Sequence, residues 1–275
     1  MSQIAVFGFG LVGASLAAAV REAEPEIRLV AVDLPAVLGS LAAQRLADEL
    51  VDAGDRAGVR AVAEASDVCV LAAPVRAIAA ELPTLLEIAA VVTDCGSTKR
   101  SICSVAQALP RRGRFVPGHP MAGGPEGGVE LARADLFRGQ TWLLCPENSD
   151  PDAVARVEAL IALVGAKSVH IGVDAHDRAV AYTSHAPQLL ASALAVLASR
   201  AGAELAAGPA YRATTRTAGG AEAMWRDIFL TNGGEVSVVL RQLALALGTV
   251  AAGLEANPVD PGAALALLAE ARARR

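Results

Sequence analysis

Aromatic residues are scarce in this 275-residue chain, at 3% for phenylalanine, tryptophan and tyrosine together, although 53% of residues are hydrophobic. The apolar excess therefore rests on alanine rather than on large side chains, which suggests close helix packing and a second buried surface between subunits. Charge is also low, at 19%, against roughly 25% in an ordinary globular domain. The formal net charge is −5 and basic residues do not cluster, so the chain lacks the electrostatic footprint for nucleic acid or an anionic membrane. The four cysteines, Cys69, Cys95, Cys103 and Cys145, show no C-x-x-C and no Cys/His ligand spacing. That argues against a metal site or a disulfide framework and for small buried residues. Long hydrophobic runs are missing as well. The nearly uncharged stretches, Ala186 to Ser199 and Leu243 to Leu254, fall short of the 18 or so residues of a spanning helix and read as buried helices. The N-terminus enters Ile4-Ala5-Val6-Phe7 with no basic region ahead of it, a strand rather than a signal peptide, and the expected location is cytoplasmic.

What is present is enough apolar material for a large core in one or two domains, which excludes disordered and fibrous architectures. The first half alternates β-rich runs with helical stretches. Ile4 to Gly8, Ile27 to Val32, Val68 to Ala72, Val91 to Thr93, Phe115 to Pro117 and Trp142 to Cys145 read as strands. Ala14 to Arg21, Val75 to Leu86 and Lys99 to Ala108 are long enough for crossover helices. This alternation predicts an α/β fold with a parallel, doubly wound sheet. Asp152 to Val164 with Ser168 to Ile171 predicts one more helix and an edge strand. After Asp174 the strand-like runs disappear and Ala, Leu and Val recur at helical spacing. The expected division is a sheet domain over 1–172 and an all-helical domain over 173–275.

The strongest local signal is Gly8-Phe9-Gly10-Leu11-Val12-Gly13, which follows a strand and opens a helix. Gly8 permits the tight turn, Gly10 lets the backbone approach a pyrophosphate, and Gly13 lets the helix pack on the strand, with the phosphates at the positive helix end. Asp33, about twenty residues further on at the end of the next strand, is placed to accept from a ribose 2′-hydroxyl. No Arg or Lys follows it closely to meet a 2′-phosphate, which favours NAD over NADP. Ala73 and Pro74, just past the strand at Val68, are expected to line the same cofactor site with Leu11 and Val12. Three further clusters stand out: Thr93 to Lys99, Gly118 to Gly123 around His119, and Tyr182 to Gln188 around His185. Ser97 reads equally as a helix N-cap or a functional group. His119, held between Gly and Pro, suits proton transfer through its near-neutral pKa.

The series GFGLVG, TDCGSTK, GHPMAG, HDRAVAYTSHAPQ and TTRTAGG followed by MWRDIFLTN resembles, over nearly the whole chain, the prephenate/arogenate dehydrogenase family of tyrosine biosynthesis. The resemblance implies a Rossmann domain followed by a helical domain through which two chains dimerise. It implies NAD-dependent oxidative decarboxylation: hydride leaves the carbinol carbon of a cyclohexadienol, the ring carboxylate departs as carbon dioxide, and the ring becomes aromatic. His119 would take the hydroxyl proton, and Ser97 would hydrogen-bond and orient its imidazole. Arg216 matches the family arginine that grips the ring carboxylate, since planar bidentate recognition is what Arg does best. Arg212 stands where a second cation is often found, and His185 matches a pocket histidine.

Plainer readings accompany these. Arg212 and Arg216, four apart, could form a solvated helix face. His176 with Asp177 reads as a helix-start contact, His170 as structural, Trp225 as core, and Arg226 with Asp227 as local pairing; Lys99 is left unassigned. The sequence departs from the family after HPMAG, where a hydroxyl and an acidic residue are replaced by Gly124 and Pro125, with Glu126 one place later. The expected substrate is prephenate, with arogenate or an amino-substituted relative as alternatives. Rivals are a short two-domain reductase, disfavoured because the helical domain lacks lysine, and a non-catalytic dinucleotide sensor, which would have no use for Ser97, His119, His185 and Arg216 together.

Overall fold

The computed structural model describes residues 1–124 and 126–274. Strands β1 (Gln3–Phe7), β2 (Arg28–Asp33), β3 (Glu49–Asp52), β4 (Val68–Leu71), β5 (Val92–Asp94) and β6 (Phe115–Val116) form a parallel sheet in the order β3-β2-β1-β4-β5-β6. The order reverses between β1 and β4, and ligands of such sheets bind at that switch point, beyond the carboxyl ends of the strands. Helices α1 (Leu11–Ala23), α2 (Pro35–Leu38), α3 (Leu41–Leu46), α4 (Arg56–Ala65), α5 (Val75–Ile88) and α6 (Arg100–Gln107) supply the connections. Successive strand residues feed opposite faces. Ile4, Val6, Leu29 and Val70 pack with Leu16 and Val20 of α1, whereas Ala5, Phe7, Val30 and Leu71 pack with α4 and α5. Both faces are covered, which is why these strands are continuous apolar runs.

Two features differ from the sequence expectation. Strand β3 was not anticipated, because its charged Glu49 and Asp52 flank a single buried residue, Val51, as befits a sheet edge. The run around Trp142 does not extend the parallel sheet. It forms β8 (Thr141–Leu144) of a separate three-stranded sheet with β7 (Gly118–Pro120) antiparallel and β9 (Lys167–His170) parallel to it. Pro117 causes the change: it has no N–H for the β5 side, and its carbonyl accepts instead from Cys145 N–H at 2.9 Å. His119 thus sits on β7. Helix α7 (Pro151–Leu163) packs behind this sheet through Val157 and Leu160.

From Val173 onward the described chain is helical: α8 (Val173–Val180) runs through a π-turn, Ala181–His185, into α9 (Ala186–Arg200), followed by α10 (Pro209–Thr215), α11 (Glu222–Glu255) and α12 (Gly262–Ala273). Helix α11 kinks at Asn232, whose φ and ψ are −133° and 16° and whose amide donates to Asp177 C=O at 2.8 Å. The core here is small, built on Ala181, Ala186, Val236 and Val239, and large apolar side chains such as Leu197, Leu230, Leu245 and Leu268 are exposed. Helix α11 is 34 residues long and, by length and composition alone, apolar enough to cross a membrane, which the shorter uncharged stretches of the sequence did not suggest. Single charged residues such as Glu235 and Arg241 interrupt the apolar run without ending the helix.

The helical part docks on the sheet through carboxylates that cap sheet-side helices. Asp177 accepts Lys99 and Arg100 N–H at the start of α6, at 2.7 and 3.0 Å, and Asp227 accepts Arg76 N–H in the first turn of α5 at 3.2 Å. Asp227 therefore reaches across to the sheet rather than pairing locally.

The glycine turn yields a stability prediction. A Cβ on Gly13 would meet Gly8 O at 2.0 Å, whereas one on Gly10 meets nothing within 4 Å. Urea unfolding of Gly13→Ala should show a loss of roughly 1–3 kcal/mol, and Gly10→Ala should stay within about 0.5 kcal/mol of the parent.

Candidate active site

The turn after β1 is shaped for close approach. Gly8 has φ +93°, and a Cβ there would strike Ala72 O at 2.6 Å. Gly10 N-caps α1 with open space beside it, so the first amides of α1 face a cavity of about 340 Å³. Gly10, Leu11, Val12, Ala73 and Pro74 line it. Asp33 ends β2 and accepts from Phe9 N–H and Leu34 N–H, each at 2.6 Å. Those bonds use two of the roughly four lone-pair sites of the carboxylate, and they fix it beside the glycine turn.

His119 lines this cavity and a second one of about 420 Å³ that shares Ser97, Pro120, Met224 and Ile228 with it; together they make one cleft. His119 Nδ1 lies 2.9 Å from His176 Nε2, and His176 Nδ1 lies 2.9 Å from Asp177 Oδ1. This corrects the helix-start reading of His176 and Asp177: both are fully buried and stand directly behind His119. It also gives the imidazole a partner that was not expected. Ser97 lines the cleft but makes no side-chain hydrogen bond among the described residues, and His176 occupies Nδ1. With Nδ1 engaged, Nε2 is the ring nitrogen His119 offers to the cleft.

Burial, then the neighbouring His176, Lys99 and His185, hold His119 well below the ordinary 6.5. Burial likewise lowers His176 against the opposing pull of Asp177, and takes His185 to about 4. For Asp177, burial pushes up, but hydrogen bonds from His176, Lys99 N–H and Arg100 N–H outweigh it and leave the carboxyl lowered. At neutral pH the site holds neutral imidazoles against an ionised carboxylate. Lys99, unassigned from sequence, is fully buried and ion-paired with the fully buried Asp94. Asp94 also accepts Gly96 N–H at 2.8 Å and Gly118 N–H at 3.0 Å. The pair therefore pins the residue preceding His119.

The remaining expected residues are placed unevenly. His185 is buried behind Trp225, edge-to-face at 6.0 Å; its Nδ1 lies 3.3 Å from Asn232 Nδ2, and its Nε2 has no partner among the described residues. Trp225, expected as core, lines the second cavity. Arg212 and Arg216 are exposed, on α10 and at its end, and line neither cavity. Gly124 and Glu126 border the cleft, and Pro125 lies outside the described residues. Arg133 was missed. Among the described residues it is the one Lys or Arg lining the cleft, and its N–H donates to Ser15 Oγ of α1 at 3.0 Å. No local motif marks Arg133, but the Asp177-His176 pair was visible in the sequence as HD. The described residues hold no cluster of His, Cys, Asp and Glu suited to a metal.

Comparison with known proteins agrees with this fold. The family model for the nucleotide-binding domain of prephenate dehydrogenase matches residues 16–170, and that for its dimerization domain matches 173–260. The chain is similar to a Bacillus subtilis prephenate dehydrogenase, with 33% identity over 83% of this chain; the match spans 64% of that relative, just under two thirds of its length. Among solved structures, prephenate dehydrogenase from Aquifex aeolicus, in complex with hydroxyphenyl propionate and NAD+, superposes with a TM-score of 0.85 at 25% identity, over 100% of this chain and 97% of that one. Synechocystis arogenate dehydrogenase superposes with a TM-score of 0.78 at 26% identity, over 99% of this chain and 98% of that one.

Removing one partner of a buried ion pair strands the other. Lys99→Met should cost roughly 3–5 kcal/mol in urea unfolding, and Lys99→Met with Asp94→Asn should recover much of it.

Proposed function

The chain belongs to the prephenate dehydrogenase family, and on that premise we propose that it oxidises prephenate with NAD to 4-hydroxyphenylpyruvate and carbon dioxide. The observation that carries this reading is one cleft holding both a dinucleotide cradle and a neutral, buried His119 with its Nε2 free. The cradle fits NAD: Gly10 leaves the space a pyrophosphate needs, α1 points its first amides there, and Asp33 stands where a ribose hydroxyl would donate. When bound, NAD supplies the hydride acceptor. His119 Nε2 takes the proton of the ring hydroxyl as hydride leaves the same carbon, and this supplies the electron density that the forming carbonyl requires. Loss of the ring carboxylate then aromatises the ring. Ser97 faces the same space and hydrogen-bonds the hydroxyl.

Two substrate carboxylates need cations. Arg133, at the cleft, takes the one on the side chain. Arg216 and Arg212 make no ion pair among the described residues and line neither cavity; Arg216 is the cation proposed for the ring carboxylate, which it meets once the α10 end moves onto the cleft, with Arg212 as a second cation one turn away. The division of labour is a dinucleotide domain over 1–172 and a substrate and dimerisation domain over 173–275. A second copy covers the apolar faces of α9, α11 and α12, which explains why a helix apolar enough to cross a membrane lies open in the single chain. The proposed assembly is a cytoplasmic homodimer.

NADH absorbance with prephenate and arogenate, each with NAD and NADP, tests this reading. Turnover of prephenate with NAD is expected. Preference for arogenate would shift the substrate, with Glu126 as partner for its amine, and turnover of neither would overturn the function. His119→Asn should lower kcat by roughly 10²- to 10⁴-fold with NAD affinity near that of the parent. Arg133→Ala should raise the KM for prephenate about tenfold with kcat little changed, as loss of a charge-assisted contact does.

A further inference from the structure

We infer that His176 and Asp177 are positioning residues that hold His119 in its Nδ1–H tautomer, so that the unprotonated Nε2 faces the substrate. The inference follows from a proton inventory. Asp177 accepts two backbone N–H groups, those of Lys99 and Arg100, at 2.7 and 3.0 Å. Backbone amides only donate, so these bonds favour the ionised, acceptor-only carboxylate. His176 Nδ1, 2.9 Å from Asp177 Oδ1, must therefore carry a hydrogen. In a neutral ring that leaves Nε2 of His176 as a lone pair. His119 Nδ1 lies 2.9 Å from it, and two facing lone pairs would repel, so His119 Nδ1 must donate. Nε2 of His119 is then bare. The polarity runs one way from the N-terminus of α6 to the cleft, and it survives catalysis: protonation at Nε2 leaves the Nδ1–H bond in place.

The kinetic arm of the test rests on the dehydrogenase reading above; the spectroscopic arm does not. The chain has four histidines, so the ring ¹⁵N shifts of the ¹⁵N-labelled protein are few, and His119→Asn identifies those of His119. The wild-type ring should show protonated Nδ1 and bare Nε2 at neutral pH. His176→Phe removes the acceptor while leaving Asp177 its two backbone donors. It should move His119 toward the Nε2–H form and lower kcat roughly 10- to 100-fold, with the KM for NAD within about twofold. His176→Gln can keep the polarity, its amide NH₂ toward Asp177 and its carbonyl toward His119, and should retain both the Nδ1–H spectrum and most of the turnover. A wild-type His119 protonated at Nε2 would overturn the inference without recourse to any variant. So would a folded His176→Phe protein with unchanged spectrum and turnover. If the wild type oxidises neither prephenate nor arogenate, the functional reading falls, and the ring spectrum still decides the tautomer.

Discussion

The carboxylate of Asp177 ties the molecule together. It is fully buried, and it is kept ionised by the two amides that open α6 and by the ring of His176. A buried charge is tolerable only when its hydrogen-bonding capacity is met. Asp177 meets that condition only when the helical part is seated on the sheet part. Docking of α8 on α6 and alignment of the imidazole behind His119 are thus one event, and a displaced helical domain would also lose that alignment.

A second buried charge pair works from the sheet side. Asp94 ends β5, binds Lys99, and holds the amide of Gly118 immediately before His119. His119 is therefore constrained twice, through its backbone by Asp94 and through its ring by His176. The proton-transfer role proposed for His119 needs this kind of support, because small misplacements cost large factors in rate. The cation of Lys99 also helps to keep the nearby imidazoles neutral.

Legibility from sequence varied with the range of the interaction. The glycine turn was fully readable, because its requirements are local: a positive φ at Gly8, open space at Gly10 and a helix pressed against β1 at Gly13. The strands of the parallel sheet were readable from apolar continuity, except for β3, whose edge position admits charge. The second sheet was not, because Pro117 redirects the chain and the partners of β7 lie more than twenty residues away. His119 and Ser97 were legible as candidates, but the partner of His119 Nδ1 was not. That nitrogen lies 2.9 Å from His176 Nε2, and nothing local in the HD pair announces a partner 57 residues upstream. Trp225, expected to be core, and Arg133, not noticed at all, border the cleft only because α11 and the segment after β7 converge there.

Periodicity and short motifs were enough to specify a doubly wound nucleotide-binding half, a helical half rich in alanine, and the residue types for proton transfer, because each depends on neighbours within a turn or a strand. The tertiary structure decided which nitrogen of His119 is free, which cation stands at the cleft, and why Lys99 and Asp177 can be buried at all. Those outcomes depend on charges and donors brought together from distant elements, and in a low-dielectric interior it is that assembly, rather than the identity of any one residue, that sets protonation and orientation.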